Sequence, residues 1–378
     1  MKKSWFLFLI PLIFFSCTLD TLTKKNRGAR PGSLTLLAAG DNLLHEFMIR
    51  RDGKTRAYSF DEYYGEIKPL IEAADIAFIN QETLLAGEAF GFSGYPQFNT
   101  PQEAGAALAA AGFDVVNHAT NHIMDKGERA VFSTMDFWDA RPGIAYLGIH
   151  RSQEARGAKK VIIEKNNITV GFLAYTYGTN GIPVPRDKPY LVSLIDEPVM
   201  EKEIAALRPL CDFLVVSMHW GEEYRESVTK EQQRLARFLA ARNVDLILGH
   251  HPHVLEPYEY LDRPGGGRTL CFYSLGNFLS GQQTNITQLG ALAYVRIKKI
   301  NNVVEIDAEG IIPVVNHYEQ GLTRFRVYPL YRYTEALAEK HLLRLRGQEF
   351  SLRWLHSQVE RVTGKGNRFT ANPFTPER

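Results

Sequence analysis

The sequence predicts an α/β fold in which helices wrap a set of strands. From residue 34 to residue 250, short apolar runs bounded by turn residues alternate with segments of helical period, the pattern of strands alternating with helices. The 378-residue chain is 45% hydrophobic, which is enough to fill a large core. Its 44 basic and 42 acidic residues leave a net charge of only +2, so we expect no nucleic-acid partner.

The first 17 residues, MKKSWFLFLIPLIFFSC, join a basic start to an apolar run. The run is shorter than the ~20 residues of a membrane-spanning helix and fits the core of a signal peptide. Ser16-Cys17 at its end resembles the lipobox of bacterial lipoproteins, although Phe14 and Phe15 depart from that pattern. We therefore expect an extracytoplasmic protein held on a membrane by lipid on Cys17. Simple secretion and an uncleaved anchor are the alternatives.

The rest of the chain divides into three parts. Residues 18–32 are polar, charged and rich in turn residues, which indicates a tether. Residues 33–330 carry the α/β pattern and are expected to form one domain. Residues 331–378 become helical and strongly charged, so we expect a helical C-terminal extension. We favour packing against the domain over a role as an interaction element.

Each predicted element follows from an apolar run or a helical period. The strands up to residue 251 are 34–40, 75–80, 113–118, 168–176, 212–220 and 244–251. The helices are 62–74, 101–111, 126–140, 196–209 and 229–242. Shorter connections after residue 254 indicate antiparallel additions, namely 254–261, 269–278, 290–299 and 302–310, with a hairpin-like loop at 264–267.

Two cysteines, Cys211 and Cys271, lie in strand-like runs. We expect two small buried side chains. A disulfide in an oxidising compartment is the alternative.

Side chains that bind metals recur where five of the predicted strands end. They are Asp41-Asn42, Asn80-Gln81-Glu82, Asn121-His122 with Asp125, His219, and His250-His251-Pro252-His253. Ligands bind outside the carboxyl ends of strands in open α/β sheets, so these residues can converge on one crevice. Isolated histidines such as His45, His118 and His150 are read as structural. His250 stays open between structure and a role beside the ligands.

The donor types predict a site for a divalent metal. Imidazole, carboxylate and amide oxygen without cysteine suit Mn, Fe or Zn. Pro252 stiffens the backbone between His251 and His253, which allows two imidazoles to reach two neighbouring ions. One or two such ions would activate water for attack on a phosphoryl or acyl centre.

Across residues 34–280 the chain carries, in order, AAGDNLL, FINQETLLAG, AAAGFDVVNHATNHIMDKG, VVSMHWGEEY, LGHHPHVLEPYEY and FYSLGNF. These strings resemble the CapA family of poly-γ-glutamate capsule synthesis proteins, which has the calcineurin-like metallophosphatase fold. The resemblance implies a four-layer αββα sandwich with a helical C-terminal extension.

Carried over residue by residue, the resemblance implies roles for particular side chains. The metal ligands would be Asp41, Glu82, Asn121, His219, His251 and His253. Asp41 would also be catalytic, and His122 would donate a proton to the leaving group. Asn277 and Glu223 would contact the substrate, with a turn-forming role as the alternative for Asn277.

Two departures separate the chain from the wider phosphatase pattern. The usual Asp-x-His of the first strand is Asp41-Asn42-Leu43 here, and the aspartate of the second motif is replaced around Asn80-Gln81-Glu82. CapA-type sequences share both departures. They leave open whether two ions are held and whether phosphatase activity is kept.

The resemblance implies a metal-dependent hydrolase of capsule biosynthesis, acting on an anionic polymer such as poly-γ-glutamate or on a phosphorylated envelope substrate. One alternative is a non-catalytic accessory or scaffold subunit of poly-γ-glutamate synthesis or export, working beside membrane-bound capsule synthesis subunits. Another is a general metallophosphoesterase.

Overall fold

The computed structural model describes residues 31–50, 58–364 and 369–375. The predicted signal peptide, Cys17 and nearly all of the predicted tether lie outside the described residues. Within these ranges, two β-sheets pack face to face and carry helices on their outer faces. No helix in the same ranges is long and apolar enough to cross a membrane.

The strands, in chain order, are β1 (Gly32–Leu43), β2 (Ile76–Gln81), β3 (Val115–Asn117), β4 (Ala145–Leu147), β5 (Val161–Lys165), β6 (Ile168–Thr176), β7 (Phe213–His219), β8 (Leu246–His250), β9 (Tyr258–Asp262), β10 (Arg268–Phe272), β11 (Asn277–Ser280), β12 (Leu289–Ile300), β13 (Val303–Glu319) and β14 (Thr323–Pro329). The α-helices are α1 (Asp61–Tyr64), α2 (Lys68–Ala73), α3 (Gln102–Ala111), α4 (Gly127–Asp139), α5 (Gln153–Ala158), α6 (Glu197–Leu207), α7 (Lys230–Ala240), α8 (Glu335–Lys340), α9 (Leu342–Leu345) and α10 (Leu352–Thr363).

Both sheets are mixed, with a parallel centre and antiparallel edges. The eight-stranded sheet has the order β14-β13-β12-β1-β2-β3-β4, and β11 also pairs with β1. In this sheet β1 to β4 run parallel, whereas β12 to β14 are antiparallel to their neighbours. The six-stranded sheet has the order β5-β6-β7-β8-β10-β9, and β6, β7, β8 and β10 run parallel. Parallel strands end on the same side, which places several strand tips together.

The core confirms the four-layer sandwich. Alternate residues of a strand face opposite sides, so Leu36 and Ala38 of β1 point between the sheets while Leu37 and Ala39 point toward helices α1 to α4. Across the gap the ring of Phe78 stacks on that of a β6 phenylalanine, Phe172, with centroids 6.5 Å apart. Burying each large apolar side chain contributes about 1.5–3 kcal/mol, so this interface is a main source of stability.

Local signals explain where the helices begin, as α7 illustrates. The hydroxyl of Thr229 accepts from the backbone N–H of Gln232 at 3.1 Å, and the Gln232 side chain accepts from the Thr229 N–H at 2.8 Å. This reciprocal cap satisfies two donors that a helix start leaves free. Leu235 and Leu239 on one face of α7 are buried, as its helical period predicts.

The predicted single helix over 62–74 is wrong. The segment forms α1 and α2, separated by a turn that includes Gly65. Pro69 lies in the first turn of α2, where its missing N–H costs no intrahelical hydrogen bond. A proline at this point therefore favours a new helix start over the continuation of α1.

The antiparallel prediction after residue 254 is confirmed for β12 and β13 and for the pairing of β9 with β10. It is wrong for the pairing of β10 with β8 and of β11 with β1, which are both parallel. The hairpin-like loop is confirmed between β9 and β10, where the Arg263 N–H donates to the Gly267 carbonyl at 3.1 Å. Cys211 and Cys271 are buried and unpaired, which confirms the reading as small buried side chains.

The C-terminal segment contributes to the same core as the sheets. Ala338 of α8 and Trp354, Leu355 and Val359 of α10 belong to the buried cluster that lies between the two sheets. Further on, Phe369 packs against the ring of a β12 tyrosine with centroids 4.9 Å apart. This segment is therefore part of the folded unit.

Candidate metal centre

Two glycines allow the chain to bring the strand ends together. A Cβ on Gly40 would lie 2.0 Å from the carbonyl oxygen of Gly276, and one on Gly249 would lie 1.9 Å from that of Tyr273. Only glycine fits such a close backbone approach. Gly40 directly precedes Asp41, and Gly249 precedes His250, so the connection between β10 and β11 packs tightly under both site segments.

Asp41 lies at the centre of the site and is fully buried. Its Oδ2 lies 3.0 Å from Nδ1 of His253, and its carboxylate accepts from the His251 backbone N–H at 3.2 Å. Asn80 donates to Oδ1 at 2.8 Å. His250, left open by the sequence, has its Nδ1 3.6 Å from Oδ1 and its ring stacked on Phe78.

Glu82 forms the second focus of the site. It is fully buried, and neither carboxylate oxygen has a hydrogen-bond partner. Its Oε1 lies 3.7 Å from Nε2 of His219 and 3.7 Å from Nε2 of His253. Nε2 of His219 is also 3.0 Å from Oδ1 of Asn121. Burying unpartnered oxygens is costly, so this arrangement needs a positive partner.

The chemistry of these donors fits a divalent metal. Two groups each bring their ligand atoms within 4.8 Å of one another, Asp41 with Glu82 and His219, and Glu82 with His251 and His253. Glu82 belongs to both groups, as a bridging ligand would. All six predicted ligands thus meet in one buried region, with Asn121 joined through His219.

The electrostatics point the same way. Burial raises the pKa of Glu82 well above its usual range, whereas the imidazoles of His250 and His253 overcome burial and lower the pKa of Asp41 well below its usual range. Burial lowers the pKa of His251 to about 3. Burial opposes protonation of His253 as well, but Glu82 and Asp41 raise its pKa to about 9. The two carboxylates therefore stabilise positive charge between them, and a neutral His251 offers a lone pair to a metal.

His122 lies beside this centre and is held by a carboxylate. Its Nδ1 is 2.7 Å from Oδ2 of Asp125, which also accepts from the Phe98 N–H at 2.7 Å. The rings of His122 and Phe98 meet edge to face at 4.7 Å, and Asn180 lies within 3.5 Å of both ring nitrogens. An imidazole oriented in this way through Nδ1 leaves Nε2 for proton transfer.

The two predicted substrate contacts occupy different environments. Asn277 pairs in register with Asp41 and is fully buried, and its side chain donates to the Gln282 side chain at 2.7 Å and to the Thr287 carbonyl at 3.0 Å. These bonds support the turn-forming alternative for Asn277. Glu223 is exposed and directly precedes Tyr224 in the chain, so a substrate can reach it.

Sequence reasoning missed the residues that orient Asp41. Asn117 donates to Asn80 at 2.7 Å, Asn80 donates to Asp41, and the Asn117 side chain accepts from the Ala119 N–H at 2.9 Å. This chain of amides fixes which way the carboxylate faces. Asn80, which the sequence placed among the polar residues at strand ends, and Asn117, the last residue of β3, were the available signal, but neither was predicted to orient Asp41.

The three histidines read as structural are bonded to the protein. His118 accepts from Nε1 of Trp138 at 2.7 Å, and Nδ1 of His45 accepts from the Gly281 N–H at 3.1 Å. His150 lies 3.0 Å from the hydroxyl of Ser193. None of these contacts involves a predicted metal ligand.

Three residues at the site have a strained backbone. His251, His253 and Tyr224 have positive φ values of 98°, 61° and 64°. Side chains with a Cβ disfavour this region, and such strain of about 1–3 kcal/mol per residue persists where the surroundings enforce it. His251 and His253 flank Pro252, and this backbone conformation directs both imidazoles toward Asp41 and Glu82.

A buried carboxyl behind the site should make stability depend on pH. Glu256 is 3% exposed, and burial raises its pKa to about 7, although Gln232 donates to it at 2.6 Å. The pKa of Glu256 in the folded protein exceeds its ordinary value, so the protonated carboxyl favours the folded state. This contribution to the free energy of unfolding is full below pH ~4.5 and is lost as the pH rises through ~7. Glu256→Gln should match the wild type near pH ~4.5 and exceed its free energy of unfolding by about 3 kcal/mol near pH ~8.

Urea unfolding of both proteins across this range measures the effect. Glu201→Gln is the control, because that side chain is 59% exposed. A constant difference between Glu256→Gln and wild type at all pH values would contradict the prediction.

The family profile and the most similar relatives agree on one protein family. The profile described as "Bacterial capsule synthesis protein PGA_cap" matches residues 35–282. PGA biosynthesis protein CapA of Bacillus subtilis (strain 168) is 30% identical over 303 residues, covering 77% of this chain and 76% of that protein. Capsule biosynthesis protein CapA of Bacillus anthracis is 28% identical over 202 residues, covering 52% of this chain and 47% of that protein.

Among solved structures, a novel phosphatase from Mycoplasma pneumoniae aligns with a TM-score of 0.47 and 14% identity, covering 76% of this chain and 95% of that chain. At this level of similarity no reaction or substrate is carried over from it.

Proposed function

Since the chain belongs to the bacterial capsule synthesis protein family PGA_cap, we propose that it is a metal-dependent hydrolase of capsule biosynthesis in the cell envelope. One observation carries the proposal. Glu82 is a fully buried carboxylate without a hydrogen-bond partner, and two groups of nitrogen and oxygen donors share it. A divalent ion satisfies such a set without further protein groups.

The residues of the site have different roles in the proposed reaction. Asp41, Glu82, Asn121, His219, His251 and His253 would hold one or two ions of Mn, Fe or Zn. When bound, the metal supplies a nucleophilic water and polarises the scissile group. Asn80 orients the Asp41 carboxylate. His122, held through Nδ1 by Asp125, protonates the leaving group from Nε2.

We propose an anionic polymer such as poly-γ-glutamate, or a phosphorylated envelope component, as the substrate. The relatives named for capsule and PGA biosynthesis support the polymer. Carboxylate, amide and phosphoryl groups all present oxygens that a metal can polarise, so the centre itself does not favour one of them.

Metal analysis and turnover test this function directly. Purified protein should hold a stoichiometric divalent metal and hydrolyse poly-γ-glutamate or a phosphodiester in its presence. Protein that is fully folded but metal-free, and whose turnover is unchanged by added Mn, Fe or Zn, would reject the hydrolase.

A non-catalytic accessory subunit of poly-γ-glutamate synthesis or export is the second candidate, and Leu43 favours it. Leu43 stands where the usual Asp-x-His motif of the first strand carries a histidine, and it is buried with 2% of its surface exposed. An aliphatic side chain cannot bind a metal, so this position supplies no ligand. Full rescue of capsule production by a His122→Ala, His253→Ala double variant would favour this accessory role beside membrane-bound synthesis subunits.

We further propose that lipid on Cys17 holds the protein at the membrane. Ser16-Cys17 after the apolar run supports an acylation site, and two or more acyl chains anchor a protein stably. Cys17→Ser should move the protein from the membrane fraction to the soluble extracytoplasmic fraction. Equal amounts of both proteins in the membrane fraction would contradict lipid anchoring.

A further inference from the structure

The mouth of the metal centre is aromatic. In the described ranges, the large aromatic side chains that stand exposed are Tyr95, Tyr177 and Tyr224, with exposed fractions of 79%, 48% and 49%. We call these three tyrosines the aromatic rim. Other exposed large side chains, such as Leu210 and Ile300, are aliphatic. Exposed aromatic rings gathered at one place indicate a binding surface.

Each ring of the aromatic rim lies next to the centre. The ring of Tyr177 is 4.6 Å from that of His251, and the ring of Tyr224 is 6.1 Å from that of His253. Tyr95 is 6.4 Å from Phe98, whose ring touches His122. The rim therefore lies beside two predicted metal ligands and near His122.

Packing does not explain Tyr224. Its φ of 64° lies in the left-handed region, which disfavours a side chain, and half of the residue is exposed. The Tyr224 N–H donates to the Pro252 carbonyl at 2.8 Å, which ties this strained position to the segment that carries the site histidines. A strained residue at a ligand site is more often kept for binding than for stability.

The rim is acidic as well as aromatic. The exposed residue Glu223 directly precedes Tyr224 in the chain, and the Tyr224 hydroxyl accepts from the Gln282 side chain at 3.2 Å. Among the described residues, no ion pair joins Glu223 to a lysine or arginine, whereas the nearby Glu222 and Glu226 pair with Arg225 and Arg361.

The nearest arginine along the chain is engaged elsewhere. Arg225 bonds to Glu222 at 2.9 Å and to Ser227 at 3.0 Å. Arg225 is therefore not a basic partner of the Glu223 carboxylate.

We propose that Tyr95, Tyr177, Tyr224 and Glu223 bind a protonated amine that the substrate carries beside its scissile group. This proposal rests on the hydrolase function and narrows its substrate. Aromatic faces attract ammonium groups, and the Glu223 carboxylate supplies the opposite charge. The substrate is then zwitterionic around the reacting bond, with an anionic or carbonyl group toward the metal ligands and an ammonium group at the rim.

Binding of small probes to the metal-loaded full chain tests the proposal without turnover. Protein labelled with 3-fluorotyrosine is titrated with n-butylammonium, n-butanol and methyl glucoside, and the fluorine signals of the rim are followed by NMR. A Tyr224→Phe variant assigns the Tyr224 signal. The ammonium should bind about tenfold more tightly than the alcohol. Equal or tighter binding of the alcohol or the neutral sugar would overturn the proposal.

Matched variants locate the interaction. Glu223→Gln should remove the preference for ammonium over butanol, whereas Glu222→Gln, which changes the neighbouring carboxylate paired with Arg225, should keep it. Tyr224→Asn should weaken ammonium binding about two- to fivefold and leave the fold intact, because asparagine tolerates a positive φ. An unchanged preference in Glu223→Gln would overturn the assignment.

The probe test and the hydrolase test fail independently. Loss of the ammonium preference leaves a metal-retaining, active protein as a hydrolase of another substrate. Absence of bound metal and turnover, with ammonium binding intact, would instead reject the hydrolase and keep the rim as a binding surface.

Discussion

Replacing Asp41 with alanine is expected to remove the bound metal and metal-dependent turnover together. Asp41 contacts His253, the His251 backbone and Asn80 at once, so its loss removes a ligand and the anchor of two others. Losing an outer partner of a metal ligand typically costs about 10–100-fold in affinity or activity. Removing the ligand itself should cost more. Metal content per chain and turnover at saturating metal measure both effects.

A carboxylate at the other end of the same sheet is the control. Asp114, just before β3, accepts from the Ala77 N–H at 2.8 Å and lies at the amino end of the strands. Asp114→Asn should keep full metal content. A folded Asp41→Ala protein with wild-type metal and turnover would remove Asp41 from the centre, and the proposed mechanism with it.

Replacing His122 with alanine is expected to lower kcat about 10²–10⁴-fold while metal content stays unchanged, because general acid catalysis typically contributes that much. The loss should be largest for poor leaving groups, which need a proton, and small for an activated ester whose leaving group departs as an anion. Measuring kcat over a series of leaving groups separates this role from a structural one.

Asp125→Asn should have a smaller effect of the same kind. Asp125 positions the His122 imidazole through Nδ1 and also accepts the Phe98 N–H. The variant therefore keeps the His122 ring in position, but the hydrogen-bond partner of Nδ1 is an amide instead of a carboxylate. A His122→Ala loss that is equal for all leaving groups would argue against proton donation.

The ends of the strands were predictable because each of these strands is an apolar run that is followed by a carboxylate or an imidazole side chain. Asp41 and His219 come directly after such runs, and Glu82 and His251 follow within three residues of them. Parallel strands of an α/β fold end on one side. Short elements such as β4 and α5 carry too few residues for a period to appear. The parallel pairing of β10 with β8 depends on a long-range backbone contact at Gly249, which no local pattern contains.

Other residues of the site could not be predicted from the sequence, for related reasons. Asn80 and Asn117 act through a chain of hydrogen bonds, and such partners lie far apart in the sequence. Tyr95, Tyr177 and Tyr224 come from three separate loops. A tyrosine in a loop gives no signal by itself, and only the fold shows that three of them share one opening.

The direction of β1 decides which side of an anchored molecule reacts. Gly32 begins the strand and Asp41 lies nine residues further on, about 30 Å away at the rise of an extended chain. Under the proposed lipid anchor on Cys17, the opening would lie at the end of β1 that is farther from the attachment point. The length of the predicted tether, residues 18–32, would then set how far from the bilayer the opening can reach.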